Sequence, residues 1–317
     1  MSKAIVLAGE PMGLFIAGHP GPLEAVESFS CAVAGAEFNV AVGMRRLEHP
    51  VGYLTKLGND PFGKRIVNTL QANRIRTDMV SWSEDRATGF MLKSMVTEGD
   101  PEIFYFRKNS AASTLSQEDV DALDLSDYGT LHMTGILPAL TDSTRAATRR
   151  LLSRARNEGM LVSFDPNLRP QLWPDQETMR TFMNEMAGCC DIYLPGIEEC
   201  RILTGLEEPE KIAAFYRDRG AKTVIIKMGA QGAFVAADRQ QYTVPGFPVE
   251  KVVDTVGAGD GFAAGVLSGL MEGLPLREAV RRGNAVGAIQ VMSRGDNDGL
   301  PTREQLQAFM GESERRQ

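Results

Sequence analysis

Short apolar runs alternate along the chain with segments in which apolar residues return every three or four positions. AIVLAG (4–9) and VGYLTKLG (51–58) are runs of strand length. EFNVAVGMRRLE (37–48) instead sets Phe38, Val42 and Leu47 on roughly one side, a helical spacing. NDPFGKRIVNTLQANR (59–74) brings back Phe62, Ile66 and Leu70 at intervals of four, with Asp60 placed to cap and Pro61 in the first turn. Further strands are read at 129–135, 160–165, 191–195 and 222–229, and a hairpin at 232–246. Further helices are read at 143–159, 197–205, 209–220, about 260–273 and about 276–292. Repeated strand-then-helix units predict an α/β fold, a mainly parallel sheet with helices on both faces. The last residues, GESERRQ (311–317), read as frayed.

Two stretches break the alternation. TGFMLKSMVTEGDPEIFYFRKN (88–109) is a pair of β-rich runs around a Thr-Glu-Gly-Asp-Pro turn. GLFIAGHPGPLEAVESFSCAVA (13–34) has short β-prone pieces between Gly and Pro. The two are expected to pair as a small sheet outside the main body, a lid formed by about 12–34 and 86–110.

Composition narrows the class. The chain has 317 residues, 43% hydrophobic and 24% charged, with a net charge of −7. No basic block stands out, so neither nucleic acid nor an anionic membrane is an expected partner. No apolar run approaches the length of a membrane span, and the N-terminus lacks a secretory pattern. The four cysteines, Cys31, Cys189, Cys190 and Cys200, form no C-x-x-C and fit reduced thiols in cytoplasm. Three scattered histidines argue against a histidine-ligated metal centre.

Two glycine-rich motifs carry candidate chemistry. Gly58 to Lys64 spells G-x-x-x-x-G-K, but Arg65 follows where a P-loop needs Ser or Thr. Pro61 also lacks the N–H such a loop aims at phosphate, so the segment reads as a strand–turn–helix connection. DTVGAGDGFAAG (254–265) is different. Gly257, Ala258 and Gly259 precede Asp260 where a helix begins. Three small residues exceed what capping needs; they let main-chain N–H groups approach an anion closely.

DTVGAGDGF resembles the second signature of the ribokinase-like (PfkB-type) sugar kinases, and VAGAEFNVAVGMRRLE (33–48) the first. The resemblance covers nearly the whole chain as one ribokinase-like α/β domain with a β lid. Within the family it is nearest to 2-keto-3-deoxygluconate kinases, on GAEFNVA (35–41), YFRKNSAASTLS (105–116), LHMTGILPALT (131–141), DPNLRPQLW (165–173) and SRGDNDG (293–299).

The resemblance implies ATP-dependent phosphorylation of 2-keto-3-deoxygluconate at its terminal hydroxyl. Asp260 is then the base, and the N–H groups of Gly257, Ala258, Gly259 and Asp260 form the anion hole. Gly35 and Asn39 bind sugar hydroxyls, Tyr105 and Arg107 reach down from the lid, Arg169 contacts substrate, phosphate or both, and Asp296 contacts substrate. Asn167, Glu199, Lys227, Gly229, Gly232 and Asn284 fall on the nucleotide side, with Mg2+ held largely by waters and phosphates. Asp254 matches an acid at a monovalent-cation site, which implies K+. Arginine suits a sugar acid because it grips a carboxylate with two parallel hydrogen bonds. Exposed lid strands imply a homo-oligomer joined through the lid. Ala34 stands where many members have glycine, Met91 where a lid tyrosine is expected, and Gly196 where an asparagine opens N-x-x-E. A fructokinase, another keto-sugar or sugar-acid kinase, and a sugar-acid sensor without turnover remain the alternatives.

Overall fold

The computed structural model describes residues 3–96 and 101–315. In chain order the first strands are β1 (Ala4–Ala8), β2 (Met12–Pro20), β3 (Phe29–Ala34), β4 (Val51–Gly58), β5 (Val80–Ser83), β6 (Phe90–Met95) and β7 (Ile103–Phe106). They are followed by β8 (Tyr128–Thr134), β9 (Leu161–Asp165), β10 (Ile192–Tyr193), β11 (Thr223–Lys227), β12 (Ala233–Ala237) and β13 (Gln240–Val244). The helices are α1 (Ala36–Arg46), α2 (Pro61–Ala72), α3 (Gln117–Asp121), α4 (Asp142–Asn157) and α5 (Gln176–Cys189). The remainder are α6 (Ile197–Thr204), α7 (Pro209–Arg217), α8 (Ala258–Met271), α9 (Leu276–Gln290) and α10 (Arg303–Arg315).

The main sheet has nine strands in the order β13-β12-β11-β10-β9-β8-β1-β4-β5. Its pairs are parallel except β11–β12 and β12–β13, the hairpin edge. Central β1 explains the architecture. All five of its residues are buried, and the two-residue period of a strand sends them to opposite faces. Ala4, Val6 and Ala8 join a core with Leu151 of α4, Phe182 of α5 and Tyr216 of α7. Ile5 and Leu7 join a second core with Phe38 of α1, Ile66 of α2, Phe262 of α8 and Val280 of α9. The chain leaves β1 toward β4 on one side and later returns to β8 on the other. Such a reversal opens a crevice at the carboxyl ends of the strands, where open α/β sheets bind ligands.

Four strands form the second sheet, in the order β3-β2-β6-β7. Met12, Leu14, Ala34 and Met91 make its small core. Phe15 meets Phe62 of α2 edge-on at 5.4 Å, which seats this lid against the body. On β7, Phe104 and Phe106 point outward, 52% and 51% exposed, while Ile103 and Tyr105 face inward over a cavity. Of the turn expected between the two lid runs, residues 97–100 lie outside the described residues.

The connection after β4 is indeed strand–turn–helix: Asp60 caps α2 by accepting the Gly63 N–H at 2.8 Å. Three differences from the sequence expectation have physical reasons. Of the segment 311–317 expected to fray, 311–315 continue α10, whose Leu306 is buried and whose Phe309 and Met310 pack on the α8–α9 core; residues 316 and 317 lie outside the described residues. The strand expected at 191–195 shrinks to Ile192–Tyr193, stopped by Pro195, which has no N–H for a ladder. Helix α8 starts at Ala258 rather than at the acid, so Asp260 sits within the first turn.

Candidate active site

The glycine-rich turn lies in the crevice. Gly257 precedes the first turn of α8 with φ +78°. A Cβ there would lie 2.0 Å from the Asp296 carbonyl oxygen, so both the backbone angle and the space demand glycine. At Gly259, among the described residues outside its own helix turn, an added Cβ would meet Lys227 Nζ alone, 3.6 Å away. The turn is thus open toward a cavity at the end of a helix where unpaired N–H groups concentrate. The Ala258 N–H leans on the Thr255 carbonyl at 3.3 Å, a long bond.

Asp260 is held in place. Asn39 Nδ2 donates to its Oδ2 at 2.8 Å, and Asn297 Nδ2 donates to Asn39 Oδ1 at 2.9 Å. Burial is the main force lifting the Asp260 carboxyl from 3.8 to about 7; the Asn39 hydrogen bond opposes it, the Asp165 and Glu37 carboxylates reinforce it, and Lys227 opposes it. A carboxylate tuned near neutrality suits proton abstraction at physiological pH.

Strand ends converge on the same cavity. Asp165, last residue of β9, accepts from Lys227 Nζ at 2.5 Å, at the end of β11. Burial opposes the charge on Lys227, but the Asp165 and Glu199 carboxylates outweigh it and raise the pKa. Glu199 accepts the Leu168 and Gly196 N–H groups, both at 2.7 Å. It thereby ties the 166–169 loop to the start of α6, and burial raises its carboxyl. Arg169 Nη1 donates to the Leu168 carbonyl at 2.9 Å, and its side chain borders the cavity. From the lid, Arg107 donates its Nε–H to Glu10 Oε2 at 2.8 Å, and its Nη2 lies 2.5 Å from the same oxygen as an ion-pair contact; both residues are buried.

Two adjoining cavities collect the expected residues. The first is lined by Gly35, Asn39, Tyr105, Arg107, Asn167, Arg169, Glu199, Asp296, Gly257 and Asp260. The second is a groove lined by Gly229, Gly232, Asn284 and Ala258, with Phe247 and Val291 as apolar wall. Lys227, Thr255 and Gly259 line both. Asn167 and Glu199, expected beside the nucleotide, therefore border the first cavity and not the groove. Asp254 lines neither.

A family model described as pfkB family carbohydrate kinase matches residues 5–303. The chain belongs to the pfkB family of carbohydrate kinases. This kinase is 47% identical over 311 residues to the 2-dehydro-3-deoxygluconokinase of Bacillus subtilis (strain 168), covering 98% of this chain and 96% of that protein. A PfkB protein from Polaromonas sp. JS666 superposes with TM-score 0.89 at 44% identity, over 96% of this chain and 99% of that one. A putative ribokinase II from E. coli, solved in complex with ATP and Mg2+, superposes with TM-score 0.89 at 27% identity, over 98% and 99%.

Several of the expected residues also bond within the kinase itself. Asn39, expected on sugar hydroxyls, borders the cavity and donates Nδ2 to Asp260. Asn284 lines the groove, but its Nδ2 holds the Val244 and Pro245 carbonyls at 3.1 and 3.0 Å. Asp296, expected on substrate, accepts from Lys93 Nζ at 2.9 Å while still bordering the cavity. Lys227, expected beside the nucleotide, is half-buried and pairs with Asp165 while lining both cavities.

Four charged side chains at or beside the cavity went unread in the sequence: Glu10, Glu37, Lys93 and Asp165. Glu10 follows β1 and Asp165 ends β9, so both stand at carboxyl ends of sheet strands, a legible position. Lys93 shares the inward face of β6 with Met91, two residues away, and a charge on an apolar face is itself a signal. Glu37 is 1% exposed, and its Oε2 has no hydrogen-bond partner among the described residues. Burial raises its carboxyl.

Proposed function

We propose that this carbohydrate kinase transfers the γ-phosphoryl group of ATP to the terminal hydroxyl of 2-keto-3-deoxygluconate. The observation that carries the reading is the meeting of two cavities at Gly259 and Lys227, with Asp260 beside them. ATP lies in the apolar groove, its γ-phosphate against the N–H groups of the 257–260 turn and the Lys227 ammonium. The sugar acid lies in the charged cavity with its carboxylate toward Arg169 and Arg107. Asp260 takes the hydroxyl proton as the oxygen–phosphorus bond forms and the bond to the β-phosphate oxygen breaks. Fixed donors at the transferring phosphoryl stabilise charge without reorganising.

Magnesium fits this site as MgATP. Among the described residues no cluster of three or more acidic, His or Cys side chains stands ready to hold a bare ion. Mg2+ keeps several waters, and Asp165 and Glu199 at the cavity floor would orient them. When bound, the ion neutralises phosphate charge.

The B. subtilis relative supports the sugar acid. Two features favour a second reading, a neutral keto-sugar such as fructose: Glu10 already balances Arg107, and buried Met91 lines the cavity where a tyrosine is expected. An ADP-coupled assay across 2-keto-3-deoxygluconate, fructose and related keto-sugars separates the two. Preference for the sugar acid by kcat/KM supports the first; preference for fructose replaces it.

The exposed pair Phe104 and Phe106 on the lid supports a homo-oligomer joined there, checked by sedimentation of a Phe104→Ser, Phe106→Ser variant. All four cysteines are free thiols, which supports a reducing, cytoplasmic setting. Among the described residues no helix is long and apolar enough to cross a membrane.

A further inference from the structure

A potassium ion beside Asp254 would need a shell of oxygens to replace the water it gives up. Three of the oxygens around Asp254 already accept hydrogen bonds from the protein. Gln290, at the end of α9 and fully buried, donates its Nε2 hydrogens to the Val256 carbonyl at 3.2 Å and the Gly295 carbonyl at 2.8 Å. Asp254 Oδ1 accepts the Val256 N–H at 3.0 Å. Its Oδ2 lies 3.8 Å from Lys93 Nζ, which also bonds Asp296 Oδ1 at 2.9 Å. Lys93 is 6% exposed, so its charge acts between two carboxylates with little screening. The site therefore holds a full positive charge beside the acid and two hydrogen-bond donors on the carbonyls. Those are the services an ion would render, and the donor set does not fit one.

We propose that Lys93 and Gln290 are a built-in replacement for the monovalent cation, so that this kinase works without potassium. The brace matters because Val256, gripped by both Asp254 and Gln290, immediately precedes Gly257 and the anion-binding turn. Lys93 belongs to the lid strand β6, so the lid itself delivers the charge. The inference does not depend on which sugar is phosphorylated.

The rival is specific. Gln290 Oε1 is buried with no hydrogen-bond partner among the described residues. Rotating the amide by half a turn would aim that oxygen at two carbonyls, which repel it unless a cation lies between.

The test compares the wild-type kinase in potassium chloride and in choline chloride at equal ionic strength, reading Tm without substrate and kcat with MgATP and sugar. A ligand that binds only the folded state raises Tm. Expected are the same Tm and the same kcat in both salts, and no anomalous peak beside Asp254 in crystals soaked in rubidium chloride. A potassium-specific rise in Tm or kcat, or a rubidium peak bounded by Asp254, Val256 and Gly295, overturns the proposal. The Lys93→Met, Gln290→Ala double variant is expected to lose turnover in choline; undiminished turnover in a folded double variant overturns the proposal as well. Should that variant fail to fold, the wild-type comparison decides alone, and the Tm arm stands whatever the sugar proves to be.

Discussion

The groove and the charged cavity share Lys227, Thr255 and Gly259, yet their other walls differ in kind. The groove is walled by Phe247, Val252, Phe262 and Val291, and its one amide, Asn284, bonds the protein's own backbone. The cavity is walled by Glu10, Glu37, Glu199, Asp165, Asp260 and Asp296, most of them tied to a basic side chain or a main-chain N–H. An apolar groove binds by area and tolerates small changes of shape. A cavity of buried charges binds by matched pairs, and removing one member leaves the other desolvated and alone. On the proposed placement of ATP in the groove and sugar in the cavity, the nucleotide side should therefore be forgiving and the acceptor side brittle.

Substitutions can break that contrast, beginning with the largest effect. Asp260→Asn keeps the amide bond from Asn39 and should bind ATP normally while kcat falls ~10²–10⁴-fold, the usual worth of a positioned base. Titration calorimetry and steady-state rates check the two halves. Arg107→Ala leaves Glu10 buried without its guanidinium and should lower unfolding stability by about 3–5 kcal/mol in denaturant melts. It should also raise KM for the sugar more than for ATP. Asn284→Ala removes two bonds to main-chain carbonyls and should cost about 1–3 kcal/mol, with KM rising for ATP alone. Equal losses from the Arg107 and Asn284 substitutions would erase the distinction between the two sides.

Asp260 also sets a pH dependence of stability. Its folded pKa, about 7, lies above the ordinary 3.8, so the folded state holds the proton more tightly. The stability it contributes is complete below that ordinary value and is lost as pH rises through about 7. Asp260→Asn removes this dependence, so relative to wild type the variant should gain Tm between pH 5 and pH 8.

The scaffold and the glycine-rich turn were legible because both rest on local chemistry. Strand and helix periods sort apolar residues without knowledge of partners, and Gly257 is demanded by its own backbone angle. The pairs were not legible. Arg107 reads as a free guanidinium until the fold brings Glu10, 97 positions earlier, against it. Asn39 and Asp260 are 221 positions apart, and Lys93 and Asp296 are 203. Short β5 and the helices α3 and α5 escaped for a related reason: their place depends on the neighbours they pack against. Helix α10 carries few apolar residues, and only its docking on α8 and α9 shows which of them are core.

Proton abstraction by Asp260 is tested most directly by the pH profile of kcat/KM for the sugar in the wild-type kinase. The rate should rise with pH along an acid limb whose midpoint lies at about 7, as the carboxyl loses its proton. A profile flat across that region, or one with its midpoint near the ordinary 3.8 of an aspartate, would contradict the assignment.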